Sequence, residues 1–219
     1  MALLIFDLDG TLIDSRLDLA NAVNATRAHM GLGPIDHEVI YTYVGNGAPV
    51  LIKRAMGETA SDEDVAAALK FFLAYYREHA VDATTLYPGV GESLIALHEA
   101  GHQLAVLTNK PVRISELIMD HFDLSRRMLR VYGGNSFDHK KPHPVGINTL
   151  RAEAGTLPEE TWMVGDSYVD IETAKNAGVQ SCGVTYGFRP DTLADPVPTL
   201  LCNTMEEFAD HVLRTHAAT

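Results

Sequence analysis

The sequence has few of the features of a disulfide-bonded or membrane-bound protein. Its 219 residues contain only two cysteines, Cys182 and Cys202, so we expect two buried thiols in a reducing compartment and no disulfide framework. No stretch approaches the roughly 20 apolar residues of a membrane helix. The apolar run at residues 2–6 is too short for a signal peptide and has no basic segment before it. We therefore expect a cytoplasmic protein that does not enter the membrane.

Positive charge is also scarce. The chain has 17 lysines and arginines against 29 aspartates and glutamates, which gives a net charge of −12. Such a chain as a whole repels nucleic acid and anionic membrane surfaces, so we expect neither as a partner. A small anionic ligand is still compatible with this charge, because a bound cation can reverse the local field. The apolar fraction of 46% is ordinary for a globular protein. For the oligomeric state we expect a monomer or a homodimer.

Strand-length apolar runs alternate with amphipathic helix-length segments along most of the chain. The predicted strands are residues 3–6, 103–107, 129–132, 162–164, 181–184 and 199–202, and the predicted helices are 90–100, 112–121, 145–154, 168–177 and 205–214. This alternation indicates βαβ units and a parallel sheet covered on both faces. The predicted fold class is therefore α/β, with a doubly wound, Rossmann-like core.

Residues 15–86 break the alternation. Their apolar residues follow helical spacing, and no convincing strand is visible among them. Turn signals flank the segment, with Asp-Gly-Thr at residues 9–11 and Tyr-Pro-Gly at residues 87–89. We predict an all-helical cap, residues 15–86, inserted into a catalytic core that comprises residues 1–14 and 87–219.

Polar clusters follow four of the predicted strands, where the ligand crevice of an open parallel sheet lies. The first is Asp-Leu-Asp-Gly-Thr at residues 7–11. Two carboxylates directly after a buried strand are costly unless a cation or hydrogen bonds compensate them. Asp7, held against a divalent ion, is suited to attack phosphorus, and Asp9 is suited to protonate a leaving oxygen and later activate water. Taken alone, the cluster is equally compatible with an Asp-Gly turn.

The other three clusters are Thr108 with Asn109, Lys141, and Asp166 with Asp170. The hydroxyl and the amide at a strand end suit a phosphate, the lysine suits a phosphoryl charge, and the two acids share one face of a helix. Each also has a purely structural interpretation, as an N-cap, a solvated basic loop, or acids at a helix N-terminus. Together they combine acids for a hard cation such as Mg²⁺ with groups for an anion, which indicates phosphoryl transfer.

The basic loop offers two further interpretations. Both Lys140 and Lys141 are candidates for the phosphoryl contact, and we favour Lys141 because it directly precedes Pro142. His139 and His143 have the spacing of zinc ligands, but no further histidine or cysteine accompanies them in the sequence. We therefore do not predict a zinc site.

These motifs, at residues 7–11, 108–110, 141–142 and 165–170, resemble the four motifs of haloacid-dehalogenase-superfamily phosphatases. The resemblance implies a mobile helical cap over a doubly wound core. It also implies that Asp7 is the nucleophile and Asp9 the general acid and base. Asp7, Asp166 and the backbone carbonyl of Asp9 would hold magnesium, and Asp170 would support the metal's waters or Lys141.

A narrower resemblance is carried by residues 12–15, 43–48, 87–90, 108–111 and 184–187, which look like those of bacterial phosphoglycolate phosphatases. It implies a small phosphorylated carboxylate as the substrate, most simply 2-phosphoglycolate. The residues that we predict to bind substrate are Thr11, Gly45, Asn46, Lys53 and Asn109. Arg54 is an alternative to Lys53 as the counter-charge for the carboxylate.

Other functions share parts of this pattern. Asp9 argues against a haloalkanoate dehalogenase, which does not need an acid two residues after the nucleophile. A phosphosugar mutase of the same superfamily, similar to β-phosphoglucomutase, would keep both aspartates and the cap, and it remains open. A phospho-accepting signalling domain also phosphorylates an aspartate beside magnesium. Such a domain has no helical insert of this size, and its phosphorylated aspartate follows a later strand.

Overall fold

The computed structural model describes residues 1–216. Within that range the chain forms eight strands, which are β1 (Leu3–Phe6), β2 (Ile13–Asp14), β3 (Thr85–Leu86), β4 (Gln103–Leu107), β5 (Met128–Tyr132), β6 (Thr161–Gly165), β7 (Gln180–Val184) and β8 (Leu200–Cys202). The same range contains nine α-helices, which are α1 (Arg16–His29), α2 (His37–Tyr41), α3 (Ala48–Met56), α4 (Asp62–His79), α5 (Val90–Glu99), α6 (Val112–His121), α7 (Val145–Ala154), α8 (Tyr168–Ala177) and α9 (Met205–His216).

Six of the strands form one parallel sheet in the order β5-β4-β1-β6-β7-β8. Strand β1 lies in its centre, where Leu3 is in register with Gln103 of β4 and with Thr161 of β6. All four residues of β1 are buried, because helices cover both faces of the sheet. This arrangement confirms the predicted α/β, Rossmann-like fold.

The two faces of the sheet have separate apolar cores. Leu4 and Phe6 of β1 point into the larger core, to which α5, α6 and α9 contribute. Leu3 and Ile5 point into the smaller core, to which α7 and α8 contribute. Because successive side chains of a strand point to opposite faces, the uninterrupted apolar sequence of β1 is what a strand buried on both sides requires.

Helices α1 to α4 form one helical segment of the chain, between β2 and β3, and α1 and α4 pack against each other. A short antiparallel ladder, Ile13 to Leu86 and Asp14 to Thr85, joins the two ends of this segment. Strand β3 was missed by the sequence analysis, which found no strand in residues 15–86. Two residues are too short for a periodic pattern, and their pairing exists only once the ends of the segment meet. The cap boundaries themselves stay a prediction.

The structure shows the state of the two cysteines and whether any described helix could span a membrane. Cys182 and Cys202 are buried, free thiols on the neighbouring strands β7 and β8, as expected. For the part of the chain that the structure covers, every helix is too short or too polar to cross a bilayer.

Candidate active site

The four polar clusters meet at one edge of the sheet. Asp7 follows β1, Thr108 follows β4, and Asp166 follows β6. The strand order places β1 between β4 and β6, so Asp7 lies between Thr108 and Asp166. This edge is the carboxyl end of the parallel strands, where α/β proteins bind their ligands.

Three carboxylates and one lysine form the centre of this edge. Ligand oxygens of Asp7, Asp166 and Asp170 all lie within 4.8 Å of one another. The Lys141 ammonium lies 2.9 Å from Asp7 Oδ1 and 2.6 Å from Asp170 Oδ1. All four side chains are buried. The cluster therefore carries three potential negative charges against one positive charge.

The pKa values of two of these acids reflect this imbalance. Burial raises the pKa of Asp7 to about 6, although Lys141 opposes the shift. Burial and the nearby Asp170 and Asp7 carboxylates raise the pKa of Asp166 to about 8. A divalent cation with a preference for oxygen ligands would balance the excess charge, and the donor set consists of hard oxygens. The residues present thus fit Mg²⁺.

Asp166 is held by the backbone of a loop that sequence reasoning did not identify. Its Oδ2 accepts hydrogen bonds from the backbone N–H groups of Phe188, at 2.6 Å, and Arg189, at 3.1 Å. Gly10 has a φ of 82°, and a Cβ added there would lie 2.4 Å from Asp166 Oδ2. The glycine that follows the acid pair is thus required both by its conformation and by the close approach of Asp166.

Asp170 orients Lys141. Its Oδ1 contacts the ammonium, and its Oδ2 accepts from the Ser167 hydroxyl at 2.7 Å and from the Ser167 N–H at 3.2 Å. Of the two candidate lysines, Lys141 is the one that reaches the carboxylates. Lys140 instead donates to the backbone carbonyl of Asn46, which tethers the basic loop to the helical segment.

Asp9 belongs to a second charged group beside the first. Its Oδ1 accepts from the Ser15 hydroxyl at 2.5 Å, and the Lys110 ammonium lies 2.7 Å from Oδ1 and 3.1 Å from Oδ2. The ammonium also donates to the Tyr76 hydroxyl at 2.6 Å. Burial lowers the pKa of Lys110, but Asp9 and Tyr76 outweigh it and the net shift is upward. Burial raises the pKa of Tyr76 to about 12, so both groups stay protonated near neutral pH.

Lys110 and Tyr76 are residues that the sequence analysis missed. Lys110 appeared there only as part of a motif, and Tyr76 was one of many apolar residues at helical spacing. A lysine directly after a strand-end Thr-Asn pair was the available signal. Its partner on α4, 34 positions away in sequence, is visible only in the structure.

Thr108, Asn109 and Thr11 are all buried at this edge. The Asn109 amide donates to the carbonyls of Gly45, at 3.0 Å, and Lys141, at 3.1 Å, so it links the helical segment to the basic loop. Among the described residues, Asn109 Oδ1 and Thr11 Oγ1 have no hydrogen-bond partner. Thr108 and Asn109 line a cavity between the sheet edge and the helical segment. Thr11 is not among the described residues that line it.

A cavity opens above Asp7 and Asp9, between the sheet edge and the helical segment. Its walls from that segment are mostly apolar or backbone, and comprise Leu19, Val44, Gly45, Gly47, Ala48, Leu51, Phe72 and Tyr76. The core contributes Thr108, Asn109, Lys110, Pro111, Asp166, Ser167, Phe188 and Arg189. Gly45, which the sequence analysis predicts to bind substrate, thus lies on the cavity wall.

Asn46 and Lys53 are not brought together with the other predicted substrate-binding residues. Within the described part of the chain they line a neighbouring outer groove with Tyr43 and Arg54, which meets the cavity at Arg189. Lys53 lies on α3, and its side chain is exposed. Helix α3 turns its apolar side, including Leu51, toward the cavity, so a residue two positions later faces outward.

A parallel sheet with buried carboxylates and a lysine at its carboxyl edge, beneath a helical segment, defines an α/β protein with a candidate active site at the strand ends. The particular family follows from comparison with known proteins. Residues 4–184 match the family described as haloacid dehalogenase-like hydrolase. The chain belongs to this family, which confirms the family predicted from the four motifs. Membership also sets aside the phospho-accepting signalling domain.

Relatives cover nearly the whole chain. A phosphoglycolate phosphatase from Vibrio vulnificus (strain YJ016) is 40% identical over 91% of this chain and 94% of its own length. One from Pseudomonas fluorescens (strain Pf0-1) is 38% identical over 98% of this chain and 81% of its own length. The crystal structure of a predicted phosphoglycolate phosphatase from Haemophilus somnus 129PT superposes with a TM-score of 0.91 at 32% identity, covering 97% of this chain and 98% of that chain.

Proposed function

We propose that this protein is a Mg²⁺-dependent phosphatase that hydrolyses 2-phosphoglycolate to glycolate and phosphate through a phosphoryl-aspartate at Asp7. The observation that carries the proposal is the position of Asp7. It lies on the cavity wall, 2.9 Å from the Lys141 ammonium and within 4.8 Å of Asp166. The similarity to phosphoglycolate phosphatases over nearly the whole chain supports the choice of substrate.

The carboxylates of Asp7 and Asp166, together with the backbone carbonyl of Asp9, would hold the metal. When bound, Mg²⁺ would offset the negative charge of the acids and of the phosphoryl oxygens. The Lys141 ammonium and the Thr108 hydroxyl would bind phosphoryl oxygens from the protein side. Asp170 keeps Lys141 in place, because its carboxylate lies 2.6 Å from the ammonium.

Two displacements at phosphorus complete the reaction. In the first, an Asp7 carboxylate oxygen bonds to phosphorus while the bond from phosphorus to the glycolate oxygen breaks. Asp9 enters this step as the carboxylic acid, gives its proton to that oxygen and becomes the carboxylate that Lys110 holds. In the second, Asp9 takes a proton from water, whose oxygen bonds to phosphorus as the bond to Asp7 breaks. Phosphate leaves, and Asp7 and Asp9 return to their starting states.

The helical segment offers a site for a small carboxylate. Helix α3 starts at the cavity, its N-cap is Gly47, and no side chain caps it. Pro49 has no N–H and the Val50 N–H donates to the Gly47 carbonyl, so the helix dipole would be the main attraction for an anion here. The cavity wall otherwise offers this side of the substrate Val44, Leu51 and Phe72, which suit a two-carbon acid better than the hydroxyls of a sugar.

Comparison of kcat/KM for 2-phosphoglycolate, glucose 6-phosphate and β-glucose 1-phosphate tests the proposal. We expect 2-phosphoglycolate to be preferred by more than about tenfold, or about 1.4 kcal/mol. A smaller ratio would contradict the substrate assignment. Conversion of β-glucose 1-phosphate to glucose 6-phosphate would instead favour the mutase. A cytoplasmic location and a monomeric or homodimeric state stay predictions of the sequence.

A further inference from the structure

The charged group around Asp9 connects the catalytic edge of the sheet to the helical segment. The Lys110 ammonium bridges Asp9, which it contacts at 2.7 and 3.1 Å, and the Tyr76 hydroxyl, to which it donates at 2.6 Å. It also lies 4.6 Å from the centre of the Tyr76 ring. Asp9 and Lys110 follow strands of the sheet, whereas Tyr76 belongs to α4. Asp9 is thus indirectly connected to α4.

These contacts are shielded from water. Tyr76 is 1% exposed and Lys110 is 5% exposed, so each polar group depends on its protein partners. An ammonium has three N–H donors, and the two Asp9 oxygens and the Tyr76 hydroxyl provide three acceptors for them. Displacement of α4 would remove one acceptor and leave the ammonium free to turn, together with the Asp9 side chain that it contacts.

A second contact makes Asp9 depend on the helical segment. The Ser15 hydroxyl, 2.5 Å from Asp9 Oδ1, directly precedes α1, and α1 packs on α4. Asp9 therefore accepts a hydrogen bond from Ser15, at the start of the helical segment. It is also connected through Lys110 to Tyr76 of α4, the last helix of that segment. Asp7, in contrast, contacts Lys141 and the N–H of Leu8, both of which belong to the core.

We propose that Lys110 and Tyr76 are positioning residues that orient Asp9 for proton transfer to the leaving oxygen, and that they do so only while α4 is seated on the core. The proposal rests on the proposed function, because it assumes that Asp9 gives its proton to the alkoxide as the bond between phosphorus and oxygen breaks. The attack by Asp7 should not depend on α4, because the residues that contact Asp7 belong to the core. Proton transfer is the step that should depend on the Tyr76 hydroxyl.

Tyr76→Phe isolates the hydroxyl. The phenylalanine keeps the ring, which stacks on Phe72 with a centroid distance of 5.4 Å, so the packing of α4 is preserved. Tyr75→Phe is a matched control on the same helix, because the Tyr75 ring is partly exposed and stacks on His79. Circular dichroism and thermal melts of both variants would establish that they are folded.

The readout is the single-turnover rate of Asp7 phosphorylation on two esters. 2-Phosphoglycolate has an alkoxide leaving group that needs a proton, whereas p-nitrophenolate leaves without one. We expect Tyr76→Phe to lower the ratio of the rate on 2-phosphoglycolate to the rate on p-nitrophenyl phosphate by about fivefold, the effect of about one hydrogen bond. Tyr75→Phe should leave the ratio unchanged.

An Asp9→Asn background tests whether the effect passes through Asp9. There Tyr76→Phe should change the rate on 2-phosphoglycolate by less than about twofold, because the proton donor is already absent. An equal loss on both esters in the wild-type background, or an undiminished further loss in Asp9→Asn, would overturn the proposal. Asp9→Asn alone examines the proposed function: a loss confined to 2-phosphoglycolate supports the acid role of Asp9, whatever Tyr76→Phe shows.

Discussion

Replacement of Asp166 by asparagine should abolish the stabilisation that Mg²⁺ gives to the folded protein. Asp7, Asp166 and Asp170 lie together with one compensating lysine. Mg²⁺ should bind the folded state and not the unfolded chain, because only folding brings the carboxylates together. An amide at position 166 keeps the shape of the side chain but removes a charge and weakens the ligand.

The size of the effect follows from mass action. At a Mg²⁺ concentration of about 100 times its Kd, binding to the folded state adds about 2.7 kcal/mol of stability. For a chain of about 200 residues, each kcal/mol raises Tm by about 2–4 °C, so the wild-type Tm should rise by about 5–11 °C. Differential scanning calorimetry of EDTA-treated protein, with and without added Mg²⁺, measures this shift directly.

The shift should also depend on pH. Burial raises the pKa of Asp7 from 3.8 to about 6 and that of Asp166 from 3.8 to about 8. The metal-free folded state therefore binds more protons than the unfolded chain between about pH 4 and pH 8, and its stability falls as pH rises through that window. Since Mg²⁺ competes with those protons, the increase in Tm should be larger at pH 8 than at pH 6.

A surface variant controls for general effects of the substitution. Asp123→Asn replaces an exposed aspartate that pairs with Arg126, and its positive φ of 55° suits asparagine as well. This variant should keep the full Mg²⁺ shift, whereas Asp166→Asn should lose it. The reasoning is refuted if Mg²⁺ does not stabilise the wild type, or if Asp166→Asn retains the shift.

Three further predictions concern the nucleophile, the outer groove and the helical segment. Asp7→Asn should fold and yet keep less than about 1% of the wild-type kcat, a loss of at least about 2.7 kcal/mol in steady-state assays; a higher residual rate would argue against the covalent mechanism. Lys53→Ala should change KM for 2-phosphoglycolate by less than about twofold, because Lys53 lines the outer groove. A tenfold increase in KM would indicate that Lys53 contacts the substrate. If residues 15–86 act as a lid, hydrogen exchange at residues 12–16 and 86–89 should slow with Mg²⁺ and a phosphate analogue bound; unchanged exchange there would count against a moving cap.

The sequence by itself determined the sheet and most of what lies at its edge. A strand with an unbroken apolar sequence, such as β1, is stable where both of its faces are buried, which is the centre of a sheet covered on both sides. Polar residues directly after such runs must then lie at the carboxyl edge, as Asp7, Thr108 and Asp166 do. That they are neighbours there follows from the strand order, in which β1 lies between β4 and β6. The placement of each residue at the edge is a local inference, because it depends on one strand and the residue that follows it.

Only the tertiary structure decided which side chains meet across the cavity. Lys110 gains its partner on α4, Asp166 is held by the N–H groups of residues 188 and 189, and Lys53 faces the outer groove. The two-residue strand β3 likewise exists only through its pairing with β2. Such contacts join residues far apart in sequence and depend on how α1 to α4 pack on the sheet. Neither the spacing nor the type of a residue records that packing, so no local pattern predicts them.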